Sequence, residues 1–310
     1  MKFIFGPVLS RRLKRSLGID IVPHKSCCYD CIYCQLGRTK EKIIKRKEFF
    51  PLEEIFLELE ENIPILSKNV DFVTFSGSGE PTLNINLGKI IKKVKTLTDK
   101  PIALLTNGAL LFKEDVRDDL LEIDLIIPSL DAPNPSIFRY INRPHEDIDF
   151  YEMVNGLANF KKIFKGKFYL EIFLVWGINT LDKDIEDFKM LISYINPDKV
   201  QLNTSFRPTA EEYALACPKE RMEEICEILK EISQTEIIAP IDYSKIPETK
   251  IKIKADEILS LIKRRPCTLD DISSALSLNR NEVIKYLMKF ESDGLIKRVI
   301  VNDRLFYEIS

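Results

Sequence analysis

The eight residues "CCYDCIYC" (27–34) hold four of the chain's seven cysteines. They come soon after a short apolar run, "LGIDIV" (17–22), that reads as a β-strand. Folds of alternating strands and helices place their chemistry where strands end, so this stretch bears on both the fold and the function. Cys27, Cys31 and Cys34 have the spacing C-x3-C-x2-C, with Cys28 as an extra. Three thiolates so spaced can each reach one corner of a cuboidal iron–sulfur cluster, which leaves one iron without a protein ligand. A closed zinc site on the same cysteines with His24 or Cys28 is the competing reading. Cys28 itself reads as a small buried filler. Cys217, Cys226 and Cys267 are scattered, which does not look like the disulfide framework of a secreted protein.

Outward from this loop, apolar runs alternate with helix-like stretches as far as residue 205. The further candidate strands are "DFVTF" (71–75), "IALLT" (102–106), "LIIPSL" (125–130), "FYLEIFLVW" (168–176) and "KVQLNT" (199–204). Between the first two strands, "PLEEIFLELEENI" (51–63) repeats Leu52, Ile55, Phe56 and Leu59 at helical spacing. Its glutamates read as an exposed helix face. This rhythm predicts six parallel strands with helices outside, a partial (β/α)6 TIM-like barrel in the α/β class. The strands end in polar or glycine-rich turns: "SGSGEPT", "NG", "DAP", "GIN" and "SFRPT". In "SGSGEP" (76–81), Gly77 and Gly79 let a small ligand approach the backbone, and Glu80 offers a carboxylate to an ammonium group. No Gly-Lys-Ser/Thr follows, so a phosphate loop is excluded. "TNG" (106–108) and "SLDAP" (129–133) are, alone, ordinary turn chemistry. Arg11 and Arg12 read equally as a solvated turn or as anion contacts.

At 310 residues, 45% hydrophobic and 30% charged, the chain can bury a large core. Its 46 basic and 48 acidic residues create no global field that would pull it to nucleic acid. No apolar run approaches the roughly 20 residues that span a bilayer. The start "MKFIFGPVLSRR" meets Pro7, Arg11 and Arg12 before a signal-peptide core can form, so a cytoplasmic protein is expected.

The rhythm breaks in "QTEIIAPIDYSKIPETK" (234–250), which predicts a barrel domain over 1–250 and a second domain over 251–310. The tail reads as three helices and a β-ribbon, with Thr268 and Asn279 as N-caps and Gly294 as a helix stop. That order resembles a winged helix-turn-helix domain. Its third helix offers Arg280, Lys285 and Lys289 beside Glu282 and Glu291, and the ribbon adds Lys297, Arg298 and Arg304. This modest basic surface suits nucleic acid about as well as a module that binds a protein or peptide or merely packs on the barrel.

The motif C-x3-C-x-aromatic-C, here with Tyr33 as the aromatic, together with "FGPVLSRRLKRSLGIDIVP", "CIYCQLGRT" and "VTFSGSGEPTLN", resembles the radical S-adenosylmethionine (SAM) superfamily. Within it the chain is similar to proteins related to tRNA wyosine synthase, over about residues 4–210. It departs at Lys14, where a glycine is expected, and in having no cysteine before Cys27, where wyosine synthases carry a second cluster.

The resemblance implies a 4Fe-4S cluster on Cys27, Cys31 and Cys34, with SAM chelating the open iron. It implies cofactor contacts from Tyr33, from Gly77, Ser78, Gly79 and Glu80, and from Asn107, with Ser129 and Asp131 near the ribose. The "GIN" stretch (177–179) would back the adenine, with Asn179 reaching SAM, and Arg207, with Gln201 and Asn203, would face the same mouth. One electron from a ferredoxin or flavodoxin would cleave SAM to a 5'-deoxyadenosyl radical, which takes hydrogen from a substrate. No side chain is assigned a catalytic proton or hydrogen transfer. The favoured substrate is tRNA, followed by a protein or peptide, held with help from the winged helix. An enzyme of small-molecule cofactor biosynthesis and an iron–sulfur or zinc DNA-binding regulator are the alternatives.

Overall fold

The computed structural model describes residues 1–205, 208–238, 255–276, 278, 280–302 and 304–310. Eight strands follow one another in chain order across a single sheet: β1 (Ile4–Ser10), β2 (Lys14–Ile19), β3 (Phe72–Phe75), β4 (Ile102–Thr106), β5 (Leu125–Pro128), β6 (Lys167–Leu174), β7 (Lys199–Thr204) and β8 (Thr235–Ile237). The β1–β2 pair is antiparallel and every later pair is parallel. This is the expected α/β partial barrel, with two additions.

The sequence predicts six strands, whereas β1 and β8 extend the sheet at its two ends. The Gly6-Pro7 pair inside β1 reads as a turn, yet on an edge strand a proline removes no ladder bond that the sheet needs. β8 has only three residues and lies in a stretch that reads as linker. β2 also starts earlier than expected, because Lys14 closes the hairpin opposite Ser10. Lys14 takes φ +56°, a conformation that glycine tolerates best. That is the position where the family pattern leads one to expect a glycine.

The connecting helices are α1 (Leu52–Leu66), α2 (Leu87–Leu97), α3 (Glu114–Asp119), α4 (Pro135–Ile141), α5 (Phe150–Ile163), α6 (Asp182–Ile195) and α7 (Lys219–Lys230). α1 shows why they form and where they pack: Ile55, Leu59 and Ile63, each four residues on, are its buried residues. Each such side chain contributes about 2 kcal/mol of burial. Leu52 and Phe56 lie at the margin of the same core.

After the barrel come α8 (Ala255–Arg264), α9 (Leu269–Ala275), α10 (Arg280–Ser292) and the antiparallel hairpin β9 (Ile296–Val301) and β10 (Arg304–Ile309). Thr268 caps α9 as expected: its Oγ1 accepts from Asp271 N at 3.0 Å, and the Asp271 carboxylate accepts from Thr268 N at 2.9 Å. Gly294 takes φ +67°, and Leu295 N bonds Phe290 O at 2.8 Å where α10 ends. The expected boundary at 250, Asn279, Arg207 and the side chains of Arg280, Glu282, Lys285 and Lys289 lie outside the described residues. The tail's core, which includes Ile258, Leu261, Ile272, Val283 and Leu287, also takes in Val8 of β1, with Phe5 packed against it. The tail is therefore docked on the first strand of the sheet.

Candidate functional site

The cysteine loop leaves the C-terminal end of β2 and is held by backbone bonds on several sides. Lys25 N donates to Ser78 O at 2.6 Å, Glu80 N to Ser26 O at 2.8 Å, Ile43 N to Cys27 O at 2.9 Å and Ile32 N to Ile141 O at 2.9 Å. Cys27, Cys31 and Cys34 are half-buried and Cys28 is fully buried. Amide or ammonium donors approach each sulfur of the trio. Lys25 Nζ lies 3.2 Å from Cys34 Sγ, Asn142 Nδ2 3.5 Å from Cys31 Sγ, and Asn107 Nδ2 3.5 Å from Cys27 Sγ and 3.1 Å from Cys28 Sγ.

Burial, and then the nearby Asp131, Cys27 and Cys34, push the Cys31 thiol well up, while the hydrogen bond with Cys28 draws Cys27 down. Thiols crowded on one loop and flanked by N–H donors suit thiolates neutralised by iron, since such donors stabilise metal-bound sulfur. Among the described residues, no three His, Cys, Asp or Glu side chains gather as they would around one ion. A cuboidal cluster makes a different demand, because its three thiolates bind separate irons. The residues present fit such a cluster.

The glycine loop after β3 has tight neighbours. A Cβ on Gly79 would stand 2.1 Å from the Ser26 carbonyl, and one on Gly77, at φ +149°, would stand 2.3 Å from the Asp20 carboxyl carbon. These glycines thus let the loop close on the cysteine loop and on Asp20. Glu80 is 2% exposed and collects four donors: Thr82 N at 3.0 Å, Thr82 Oγ1 at 2.6 Å, Thr106 Oγ1 at 2.7 Å and Asn107 N at 2.8 Å. Burial raises its pKa even against those bonds. Only Asn107 N reaches Oε2, so that oxygen keeps room for a further donor. The carboxylate also ties the ends of β3 and β4 together.

Asp131 is 4% exposed, and burial lifts its pKa to about 6. It accepts from the Tyr33 hydroxyl, from Asn142 Nδ2 at 2.8 Å and from Phe173 N at 3.0 Å. Tyr33 in turn stacks on Phe173, with ring centroids 3.9 Å apart. The structure thus joins Tyr33 and Asp131, 98 residues apart in sequence, into one wall beside Cys31 and Cys34. Ser129 stands half-buried at the end of β5, its N bonded to Thr106 O at 3.1 Å. Asn179 is fully buried, and its Nδ2 donates to Asp131 O at 2.7 Å and Phe173 O at 2.9 Å. Both amide hydrogens are spent on holding the strand ends. Gln201 bonds Glu236 at 2.8 Å and Asn203 bonds Glu171 at 3.0 Å.

Inside the barrel, Arg12 pairs in two places with Glu171. Burial alone would raise the Glu171 pKa, but the Arg12 charge and hydrogen bonds, with help from Asn203 and the Arg11 charge, together hold the carboxyl below its usual range. This settles the reading of Arg12: it is a buried ion pair. A cavity of about 720 Å³ lies against it, running from Ser76 and Gly77 along β1 to the tail, with Arg11, Arg264, Arg265 and Arg304 on its walls. In the hairpin, by contrast, Lys297 pairs with Glu308 at 3.2 Å and Arg298 with Glu291 at 2.7 Å. Asp20, Lys25 and Asn142 escape a sequence reading because each acts on a partner that only folding brings near.

The model of the family described as the radical SAM superfamily matches residues 21–192. A UPF0026 protein of Methanocaldococcus jannaschii is 35% identical over 309 residues, covering 99% of this chain and 96% of its own length. The protein named GTPase Obg in Brachyspira hyodysenteriae is 40% identical over 309 residues, and the chain spans 45% of its length. A probable GTP 3',8-cyclase of Methanococcus vannielii is 27% identical over 292 residues, covering 86% of this chain and 90% of its own. Among solved structures, Streptococcus suis SuiB bound to S-adenosylmethionine shares the fold, with a TM-score of 0.53, 14% identity, and cover of 76% of this chain and 53% of that one.

Proposed function

The chain belongs to the radical SAM superfamily and to its UPF0026 proteins, and from that premise we propose that it modifies a phosphate-bearing substrate, with tRNA favoured. It is a SAM-dependent radical enzyme that uses a 4Fe-4S cluster and an external electron donor. When bound, the cluster and SAM supply a 5'-deoxyadenosyl radical for hydrogen abstraction.

Cys27, Cys31 and Cys34 hold the cluster, with Asn107, Asn142 and Lys25 as sulfur donors. Gly77, Ser78, Gly79 and Glu80 form the cradle for the methionine end of SAM, where Glu80 Oε2 accepts from the ammonium. The stacked Tyr33 and Phe173 make an apolar wall that keeps water from the reacting atoms. Ser129 and Asn107 border the same pocket, and Asp131 acts through Tyr33. A ferredoxin or flavodoxin is the donor, and the cytoplasm the setting. No helix among the described residues is long and apolar enough to cross a membrane.

The observation that carries the substrate reading is the cavity. It reaches from the glycine loop to the tail, and its walls include Arg11, Arg265 and Arg304 beside Arg12 and Arg264, which are paired with Glu171 and Asp20. Arginines suit phosphate. Its size matches one nucleotide-scale ligand, as when a base is turned out of a larger RNA. Since Lys297 and Arg298 are ion-paired while Arg304 of the same hairpin lines the cavity, the winged helix supports RNA from its cavity side. A free nucleotide is the second reading, favoured by the likeness to a GTP 3',8-cyclase.

The test is anaerobic reconstitution with iron and sulfide, then dithionite and SAM, with 5'-deoxyadenosine followed by chromatography and Cys31→Ala as control. Bulk tRNA should raise the yield, with binding that weakens steeply as salt rises. A rise with GTP and none with tRNA would select the second reading, and no 5'-deoxyadenosine under any condition from a cluster-loaded protein would overturn both.

A further inference from the structure

Asp20 lies just past β2 and is 8% exposed, and nothing so far accounts for its burial. Its Oδ2 accepts from Ser78 N at 3.0 Å, from Ser78 Oγ at 2.6 Å and from Arg264 Nη1 at 2.7 Å. Its Oδ1 has no partner among the described residues, so the donors converge on one oxygen. Arg264 ends α8, 244 residues away in sequence. Its guanidinium lies 3.7 Å above the Phe5 ring, and its side chain is 17% exposed. On the other side, Gly77 packs so closely on the Asp20 carboxyl that no Cβ fits. A cation of the tail, a carboxylate of the barrel and the glycine loop thus form one chain of contacts, on the wall of the cavity that Gly77 and Arg264 both line.

We propose that the tail is a working part of the active site, with Arg264 as the positioning residue that, through Asp20, fixes the 76–80 loop in its SAM-binding shape. This rests on the reading that the loop cradles SAM. The physical reason is the imbalance at Asp20. Two neutral Ser78 donors do not compensate a buried carboxylate, whereas a guanidinium does. Without that cation the carboxylate turns toward solvent, and Ser78 loses the acceptor that orients it. Phe5 and Val8 hold the tail to β1 independently, so the charge can be removed without undocking it.

Amide hydrogen exchange on the full chain without cofactor tests this in wild type, Arg264→Met and Arg264→Lys. Met keeps the stem over Phe5 and drops the charge, while Lys keeps a charge with poorer geometry. In the Met variant the peptide containing Gly77 to Glu80 should exchange about tenfold faster, with α8 and β1 unchanged and the Lys variant between. On reconstituted protein the SAM dissociation constant should rise about tenfold at equal iron content. Loop exchange equal to wild type in Arg264→Met overturns the proposal.

A tail that loosens as a whole is separated by a cycle with Ser78→Ala. A chain through Asp20 makes the two effects on loop exchange non-additive, whereas additive effects overturn it. Wild-type protein that carries iron but binds no SAM overturns the cofactor reading instead, and the exchange comparison still decides whether Arg264 holds the loop.

Discussion

Two regions beside the cavity are held together in different ways. At the cysteine loop, many backbone bonds run to neighbouring turns, and Glu80 alone gathers four donors. At the seam between the sheet and the tail, apolar contacts to β1 are joined by a buried ion pair, Arg264 with Asp20. Redundant bonds make the first region tolerant of losing one partner, while at the second the Asp20 carboxylate depends on the charge of Arg264. The lesson is that chemistry and architecture should respond to different substitutions.

The largest effect should come from Cys34→Ala. Deoxyadenosine formation should fall by about a thousandfold or more, while the unfolding free energy of the cofactor-free protein in urea changes by less than about 1 kcal/mol. A large loss of stability in that variant would erase the contrast. Arg12→Met should do the reverse, because it leaves Glu171 buried without its cation. Chemical denaturation should show a loss of about 3 kcal/mol, and Arg12→Met with Glu171→Leu should recover much of it. No recovery would mean that the pair is not the source of the loss.

Asp131 sharpens the comparison through pH. Its unfolded carboxyl titrates near 3.8 and its folded one near 6, so between those values the folded state holds the extra proton. Stability should therefore be full below about pH 4, fall as pH rises and level off above about 6, by on the order of 3 kcal/mol. Denaturation of cofactor-free wild type and Asp131→Asn across that window should show the fall in the first and a flatter line in the second. The smallest effect should be Lys14→Gly. Relief of φ +56° is partly offset by a more mobile unfolded chain, so the gain should stay under about 1 kcal/mol in a thermal melt. A loss there would mean that the lysine side chain contributes to the hairpin.

How much of this was legible differs along the chain. The strands at 71–75, 102–106 and 199–204 could be read because buried parallel strands are continuous apolar runs ended by turns. β1 and β8 could not, since an edge strand tolerates Gly6-Pro7 and a three-residue strand has no periodicity. At the site, the cysteine spacing and the "SGSGEP" loop stand out because each is short and local. Tyr33 and Asp131 were each legible, but not as bonded partners. Asn179 was legible as a residue near the cofactor, but not the bonds of its amide hydrogens to the Asp131 and Phe173 carbonyls.

The sequence by itself determined the alternating class, the cluster-bearing loop and the helical tail with its Thr268 cap, because these depend on spacing, periodicity and contacts a few residues apart. Only the tertiary structure decided that Val8 of the first strand joins the tail's core, that Arg12 finds Glu171, and that Arg264 reaches Asp20 beside the glycine loop. Those partners stand many residues apart, and an isolated arginine carries no mark of the carboxylate it will meet. Burial is what selects the pairing, since a charge removed from water needs an opposite one in reach.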